Sequence, residues 1–316
     1  MNTEKIDIMV IAPLPPKLLS DLDERFTVHN WWLSDSKEAL LSSVAPKIRG
    51  VVTRSHLGID AQMINALPAL EIISIFGVGL DATDVAAAHQ RDVVVAHTPG
   101  VLSGCVADTA LGHMLNVSRR YCAADRYART GEWLKAPFPS SSRVHGKICG
   151  IAGLGLVGRE VAKRVQAFDM AVHYYDPFTA NADFKRFETL SALAESCDFL
   201  VLTLPGGPDT HHIVNSEVLK ALGPEGILVN VARGTIVDIP ALVTALASKA
   251  ILGAGLDVFE DEPNIPLELL EFDNVVLSPH IASNTVETRT EMAELAVANI
   301  KSWFDEGKAI TPVRRK

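Results

Sequence analysis

Basic residues never gather in this sequence. Apart from the tail "PVRRK" no stretch is strongly positive, and the formal charge is −9. A polyanion partner needs a basic face, so the expectation is no nucleic acid partner and a small molecule instead. Long apolar runs are missing too. None approaches the ~18–20 residues of a membrane-spanning helix, so no membrane partner is expected. The opening "MNTEKIDIMVIAP" lacks a basic region followed by a long apolar run, which argues against a signal peptide. Cysteines are few and scattered (Cys105, Cys122, Cys149 and Cys197), with no C-x-x-C. They read as free thiols in a reducing compartment, and the expected location is cytoplasmic. No group of His, Cys, Asp or Glu has metal-ligand spacing, so no metal is expected; the pair His211–His212 reads as structural or exposed. No Ser sits in a G-x-S-x-G elbow, which leaves acyl transfer without support. Internal repeats of fixed period and low-complexity segments are absent as well.

What is present is an alternation. With 316 residues, 48% of them hydrophobic, the chain has the length and apolar content for two domains. "IDIMVIA", "GVVT", "EIISIF" and "VVVAH" read as strands in the first third. "KICGIAG", "AVHYYD", "DFLVLTL", "GILVNVA", "GAGLDVF" and "NVVLSPH" follow. Such nearly continuous apolar runs suit strands buried on both faces of a parallel sheet. Helical patterns such as "LVGREVAKRVQAF" and "SEVLKALG" lie between them, so the fold class is α/β. One long helix is expected from Cys105 to about Arg129, and "VETRTEMAELAVANIKSWFDEG" forms the last. Domain crossings are placed near residues 99 and 285. An outer domain of residues 1–98 and 285–316 would then enclose a middle domain of 99–284.

The middle domain carries "GIAGLGLVGREVAKRV", with Gly153, Gly155 and Gly158 in the order G-x-G-x-x-G. A strand precedes these glycines and a helix follows them. Asp176 ends the next strand 18 residues past the last glycine, about where a dinucleotide fingerprint needs an acid. Gly153 permits the tight turn, Gly155 lets backbone approach a pyrophosphate, and Gly158 lets helix and strand pack closely. The helix N-terminus offers N–H groups and partial positive charge to the phosphates, and Asp176 accepts from ribose hydroxyls. A second cluster, "FGVGLD", lacks the third glycine and the acid. It is either a strand-ending turn or a loop whose N–H groups at Val78 and Gly79 grip a carboxylate.

Three further stretches end predicted strands. "VNVARGTIVD" carries Arg233, "LDVFEDEP" carries Glu262 and "VVLSPHIAS" carries His280. Arginine offers a planar fork that matches a carboxylate. Histidine exchanges a proton near neutral pH, and a carboxylate beside it fixes its ring. Together they suit one reaction, in which Arg233 holds a substrate carboxylate, His280 protonates a carbonyl oxygen as hydride arrives, and Glu262 supports the imidazolium. Taken singly, each has a structural reading: a surface ion pair, a satisfied backbone carbonyl, a solvated acid.

The succession "GVGLD", "HTPGVLSGCVAD", "GIAGLGLVG", "TLPGGPDT", "VNVARGTIVD", "LDVFEDEP", "SPHIAS" resembles the D-isomer-specific 2-hydroxyacid dehydrogenases over nearly the whole chain. Within that family it is most similar to the glyoxylate/hydroxypyruvate reductases. The resemblance implies two doubly wound parallel-sheet domains, a Rossmann dinucleotide-binding domain inserted in a flavodoxin-like substrate domain. It implies a homodimer formed through the cofactor domain; pocket shape would depend on loops such as "TRSHLG" (53–58) and on Trp133 from a partner subunit. It makes Arg233, Glu262 and His280 catalytic, and has Val78, Gly79, Arg233 and His280 bind the substrate, a 2-oxo or 2-hydroxy acid. The cofactor, NAD, would be held by Val106, by Gly153, Gly155, Leu156, Val157 and Gly158, and by Asp176. Thr203, Leu204 and Pro205 would line its adenosine side, and Thr210 would bind it as well. Val231, Ala232, Arg233, Asp257, His280 and Ala282 would complete the site, Asp257 near the nicotinamide.

Two departures narrow the reading. Regulatory domains of some phosphoglycerate dehydrogenases need a longer C-terminus. Many NADP-using glyoxylate reductases carry an Arg near the end of the second strand, where this chain has "YYDPFTAN", so NADH is expected to be preferred over NADPH. The rival class is an NAD-sensing binding protein of the corepressor type, which depends on extra peptide-binding surfaces and nuclear partners. A formate enzyme would carry Gln beside the catalytic histidine, where Glu262 stands here.

Overall fold

The computed structural model describes residues 5–180 and 182–315. The chain forms two compact units, one running to Val101 and resuming at Val286, the other spanning Leu102–Thr285. Among the described residues no helix is long and apolar enough to cross a membrane.

In the first unit β1 (Ile6–Val10), β2 (Phe26–Asn30), β3 (Gly50–Arg54), β4 (Ile72–Phe76) and β5 (Val94–Ala96) form a parallel sheet in the order β2-β1-β3-β4-β5. That order is the flavodoxin-like one. β4 is buried along its whole length and β3 at all but Arg54, which is why both read as nearly continuous apolar runs. The sequence shows four of these five strands. The hidden one, β2, is an edge strand in which only Phe26 is buried, so "FTVHN" carries no apolar run. Helices α1 (Pro16–Asp23), α2 (Lys37–Val44), α3 (Ala61–Ala66) and α4 (Val85–Gln90) connect the strands. Ser36, Asp60 and Asp84 cap the last three, each side chain accepting a backbone N–H three residues on.

The second unit opens with α5 (Ser103–Arg119) and α6 (Tyr121–Arg129). The single helix expected here breaks at Arg120, whose N–H still makes the helical bond to the Asn116 carbonyl while its left-handed backbone (φ 55°, ψ 39°) redirects the chain. Neither glycine nor proline marks the break, so the sequence hides it. The chain continues through β6 (Ile148–Ala152), α7 (Leu156–Gln166), β7 (Ala171–Tyr175), β8 (Lys185–Arg186), α8 (Leu190–Glu195) and β9 (Phe199–Leu202). Then come α9 (Ser216–Leu222), β10 (Ile227–Asn230), α10 (Ile239–Ala247), β11 (Gly253–Leu256) and β12 (Val275–Leu277). These seven strands form one parallel sheet in the order β12-β11-β10-β9-β6-β7-β8. β8 escaped sequence reading because two charged residues at an edge have no apolar pattern to show.

Side-chain alternation splits the core of this sheet in two. Leu200, Leu202 and Leu228 pack on one face with Leu193, Leu219 and Leu242. Phe199, Val201, Ile227 and Val229 pack on the other with Met114, Val161 and Tyr174. Each such residue contributes about 1.5–3 kcal/mol relative to exposure. The last helix, α11 (Val286–Glu306), returns to the first unit, where Ser74 on β4 donates to the Ala296 carbonyl at 2.8 Å. Behind it Pro312 makes an antiparallel bridge to Ala96.

Candidate active site

Because the strands of the second unit are parallel, their C-terminal ends share one edge of the sheet, where open α/β folds bind ligands. Gly153 follows β6, Asp176 follows β7, Leu204 and Pro205 follow β9, with Thr210 a few residues on. Val231, Ala232 and Arg233 follow β10, Asp257 follows β11, and His280 and Ala282 follow β12. Val106 lies buried in α5. The order reverses between β6 and β9, which makes their ends the switch point.

At that point Gly153 adopts φ +95°, and a Cβ there would stand 2.9 Å from the Leu204 nitrogen. A Cβ at Gly158 would strike the Gly153 carbonyl. Around Gly155, by contrast, nothing lies within 4 Å of where a Cβ would be. Gly155 is the N-cap of α7 and offers no side chain to the helix's first N–H groups, at Leu156, Val157 and Gly158. Asp176 is buried and hydrogen-bonded through both oxygens. Its Oδ2 accepts the Leu154 N–H at 2.8 Å, and its Oδ1 accepts those of Phe178 (2.8 Å) and Thr179 (3.1 Å). A carboxylate has about four lone-pair sites, so capacity remains for a hydroxyl. Open space before an uncapped helix start, beside a fixed acid, fits a dinucleotide. Further along this edge, Thr210 donates its hydroxyl to the Pro205 carbonyl at 2.8 Å.

The second cluster at this edge centres on His280. Its Nδ1 meets Glu262 Oε2 at 2.7 Å, and Glu262 Oε1 accepts the Phe259 N–H at 3.0 Å. Burial pushes the Glu262 carboxyl up. The bonds from His280 and Phe259 and the charges of His280 and Arg233 outweigh it and hold the group below the ordinary glutamate value. Arg233 is therefore close enough to act on Glu262 electrostatically. Its Nη1 donates to the Ala232 carbonyl at 2.7 Å.

Other residues hold these three in place, and of them the sequence singled out only Asp257. Asn230, fully buried at the end of β10, donates to the Arg233 carbonyl (2.8 Å) and accepts the Ala232 N–H (3.0 Å). Asp257 is also fully buried, and it builds the turn that carries His280. Its carbonyl accepts the His280 N–H, and its carboxylate accepts those of Ile281 and Ala282, both at 2.9 Å. Ser278 donates to the same carboxylate at 2.5 Å, and His113 Nε2 lies 2.9 Å from the Ser278 oxygen. Since that hydroxyl gives its proton to Asp257, His113 must donate from Nε2, and its buried Nδ1 has no partner. Burial lowers the His113 pKa more than the Asp257 charge raises it, so the imidazole stays neutral. Ser278 stands inside "SPHIAS"; for His113, one of several polar residues in α5, the sequence offers no signal.

Gly234 brings the arginine turn against the glutamate loop. A Cβ there would run into the backbone of Phe259 and Glu260. Gly234→Ala is therefore expected to part the two loops, at a stability cost of about 1–3 kcal/mol. Since a displacement of ~1 Å costs catalysis on the order of 10²-fold, kcat/KM should fall well beyond tenfold. Thermal melting and steady-state kinetics check this, and wild-type values for both would refute the close approach.

Val78 and Gly79 belong to the first unit, in the bend after β4, where His97 Nδ1 lies 3.1 Å from the Val78 carbonyl oxygen.

Comparison with known proteins gives this geometry a lineage. The model of the D-isomer specific 2-hydroxyacid dehydrogenase NAD binding domain matches residues 111–282. The chain is 43% identical over 311 residues to hydroxyphenylpyruvate reductase of Plectranthus scutellarioides, covering 98% of this chain and 99% of that one. The solved 2-hydroxyacid dehydrogenase from Ketogulonicigenium vulgare Y25 superposes with a TM-score of 0.94 at 41% identity, over 99% of both chains. An NADPH-dependent glyoxylate/hydroxypyruvate reductase from Sinorhizobium meliloti, solved with NADP and malonate, gives 0.91 at 40% identity, again over 99% of both. With a nucleotide-domain match over more than half its length and relatives of this identity end to end, the chain belongs to the D-isomer-specific 2-hydroxyacid dehydrogenase family.

Proposed function

We propose that this protein reduces a small 2-oxo acid of the glyoxylate or hydroxypyruvate type to the D-2-hydroxy acid, with NADH as the preferred reductant. The observation that carries the reading is the 2.7 Å pair of His280 and Glu262, formed beside Arg233 on the sheet edge that bears the dinucleotide fingerprint. Arg233 holds the substrate carboxylate and polarises the carbonyl. His280, tied to Glu262 through Nδ1, gives a proton from Nε2 to the carbonyl oxygen and regains one from solvent. Glu262 orients the ring and stabilises its charged form. Val78 and Gly79 present N–H groups to the substrate carboxylate. A bound nicotinamide supplies the hydride that reduces the carbonyl carbon. Gly153, Gly155 and Gly158 with Leu156 and Val157 would hold its pyrophosphate, and Asp176 its ribose hydroxyls. Leu204, Pro205 and Thr210 would lie along the adenosine, and Val106, Val231, Ala232, Asp257 and Ala282 along the rest.

Rates with a panel of 2-oxo acids, from glyoxylate through hydroxypyruvate to larger sugar acids, measured with NADH and with NADPH, test the proposal. No turnover of any member would sink it. Turnover would equally dispose of the corepressor reading, which no observation favours. A homodimer belongs to the same proposal, supported by Trp133 and Leu134, 73% and 94% exposed in one short turn. A monomer in light scattering would remove it.

The cofactor preference rests on Asp176. A 2′-phosphate placed there meets a like charge in a partly desolvated crevice. Pro177, Phe178 and Thr179, next in the chain, bring no cation to offset it. NADH is expected to exceed NADPH by at least about tenfold in kcat/KM, roughly 1.4 kcal/mol of transition-state binding. Asp176→Asn keeps one oxygen to accept from the backbone donors, turns an NH2 toward the other set and removes the charge, so it should shrink the gap mainly by improving NADPH. Equal kcat/KM for the two cofactors in the unmodified protein would defeat the reading.

A further inference from the structure

Two histidines that read as merely structural or exposed prove to share the carboxylate of Glu260, which is 48 residues beyond His212 along the chain. His211 Nε2 lies 3.5 Å from Glu260 Oε1, and His212 Nε2 lies 3.1 Å from Glu260 Oε2. One nitrogen from each ring and one carboxylate oxygen fall within 4.8 Å of one another. Among the described residues no other set of three such groups comes together. We propose that His211, His212 and Glu260 form a surface site for a divalent late transition metal ion of the zinc, nickel or copper kind.

Distances and donor chemistry both point that way. Tetrahedral zinc holds imidazole nitrogen and carboxylate oxygen at ~2.0–2.2 Å, which sets neighbouring ligand atoms roughly 3.3 Å apart. The nitrogen–oxygen separations of 3.5 and 3.1 Å, each to its own carboxylate oxygen, lie near that value, and the three donor atoms, within 4.8 Å of one another, need only draw together around an ion. Two imidazoles and one carboxylate make a borderline-soft set, suited to zinc, nickel and copper and poorly suited to magnesium or calcium, which take oxygen ligands. Three protein ligands leave a fourth position to water.

The backbone prepares the cluster. Successive side chains of an extended segment point apart, yet the rings of His211 and His212 stack with centroids 3.9 Å apart and 24° between planes. His212 takes a left-handed backbone (φ 50°), uncommon for a residue other than glycine and associated with sites that use the strain. Its N–H donates to the Thr235 carbonyl at 2.8 Å, and that of Val214 to the Ile236 carbonyl at 3.0 Å. The same turn brings Gly234 against the backbone of Glu260. Imidazoles and carboxylate thus stand on anchored segments. The stacked rings must tilt to aim both lone pairs at one ion, and with side chains 51%, 35% and 44% exposed they have room to do so.

The test reads binding directly and stands whether or not the proposed reductase activity is found. Protein without a polyhistidine tag, stripped with a chelator, is titrated with Zn(II) in a calorimeter and with Co(II) by visible absorption. One equivalent should bind, and Mg(II) should give no signal. His212→Gln and Glu260→Gln should each weaken Zn(II) binding by about tenfold or more, since loss of an outer-shell partner alone costs 10–100-fold. His145→Gln, at an exposed histidine elsewhere, should change nothing. Absence of stoichiometric Zn(II) binding, wild-type affinity in both site variants, or equal occupation by Mg(II) would each overturn the assignment.

Discussion

Arg233→Ala is expected to lower kcat/KM for 2-oxo acid reduction by about 10²–10⁴-fold, the loss typical of a charged clamp that positions and polarises at once. The side chain leaves a turn whose backbone Asn230 holds from both sides, so its origin is fixed before substrate arrives. A guanidinium presents its donors as a planar fork that matches a carboxylate. Arg233→Lys should therefore recover only part of the loss, because an ammonium keeps the charge without the fork. The arginine charge also helps hold the Glu262 carboxyl low, so the alanine variant should protonate Glu262 at higher pH than the parent does. Melting temperature is the control. An unchanged melt with collapsed kinetics supports the clamp, whereas near-normal kinetics in Arg233→Ala would sink it.

How much of this was legible in the sequence differs between the strands and what holds them. β3, β4, β9 and β10 were legible because both faces of a parallel sheet are covered and nearly every position is apolar. β2 and β8 lie at sheet edges, where that pressure lapses, and they left no run to find. The glycines of the fingerprint and the residues Arg233, Glu262 and His280 were legible because each follows such a run directly. Their supports were not. Asn230 ends an apolar strand and reads as an ordinary strand end; only the structure shows it fully buried and bonded to the arginine turn. His113 reaches Ser278 across 165 residues, and His212 reaches Glu260 across 48. Local patterns record which face of an element is buried, whereas polar contacts of this kind depend on which strand ends become neighbours. The break at Arg120 is hidden for another reason, since a left-handed backbone at a long polar residue has no composition of its own.

The last expected result concerns the proton. His280→Asn should reduce kcat by about 10²–10⁴-fold, the usual contribution of a positioned general acid. The turn that carries residue 280 is held by Asp257 through backbone N–H groups, so the substitution leaves that frame intact. Glu262→Gln should act more subtly. Reduction needs the imidazolium, so its rate falls as pH rises and the proton is lost. Removing the carboxylate charge makes the imidazolium less favoured, and this limb should move to lower pH. At acid pH the sign reverses. In the parent the Glu262 carboxyl lies below its ordinary value, so its pairing with His280 is complete above that value. The pairing is lost only as pH falls through the lowered one. Glu262→Gln has no such group to protonate and should lack this acid-side loss of stability. Profiles of kcat/KM and of melting temperature against pH for the two proteins separate the effects. A basic limb at the same pH in both would mean that Glu262 orients the ring without stabilising its charge.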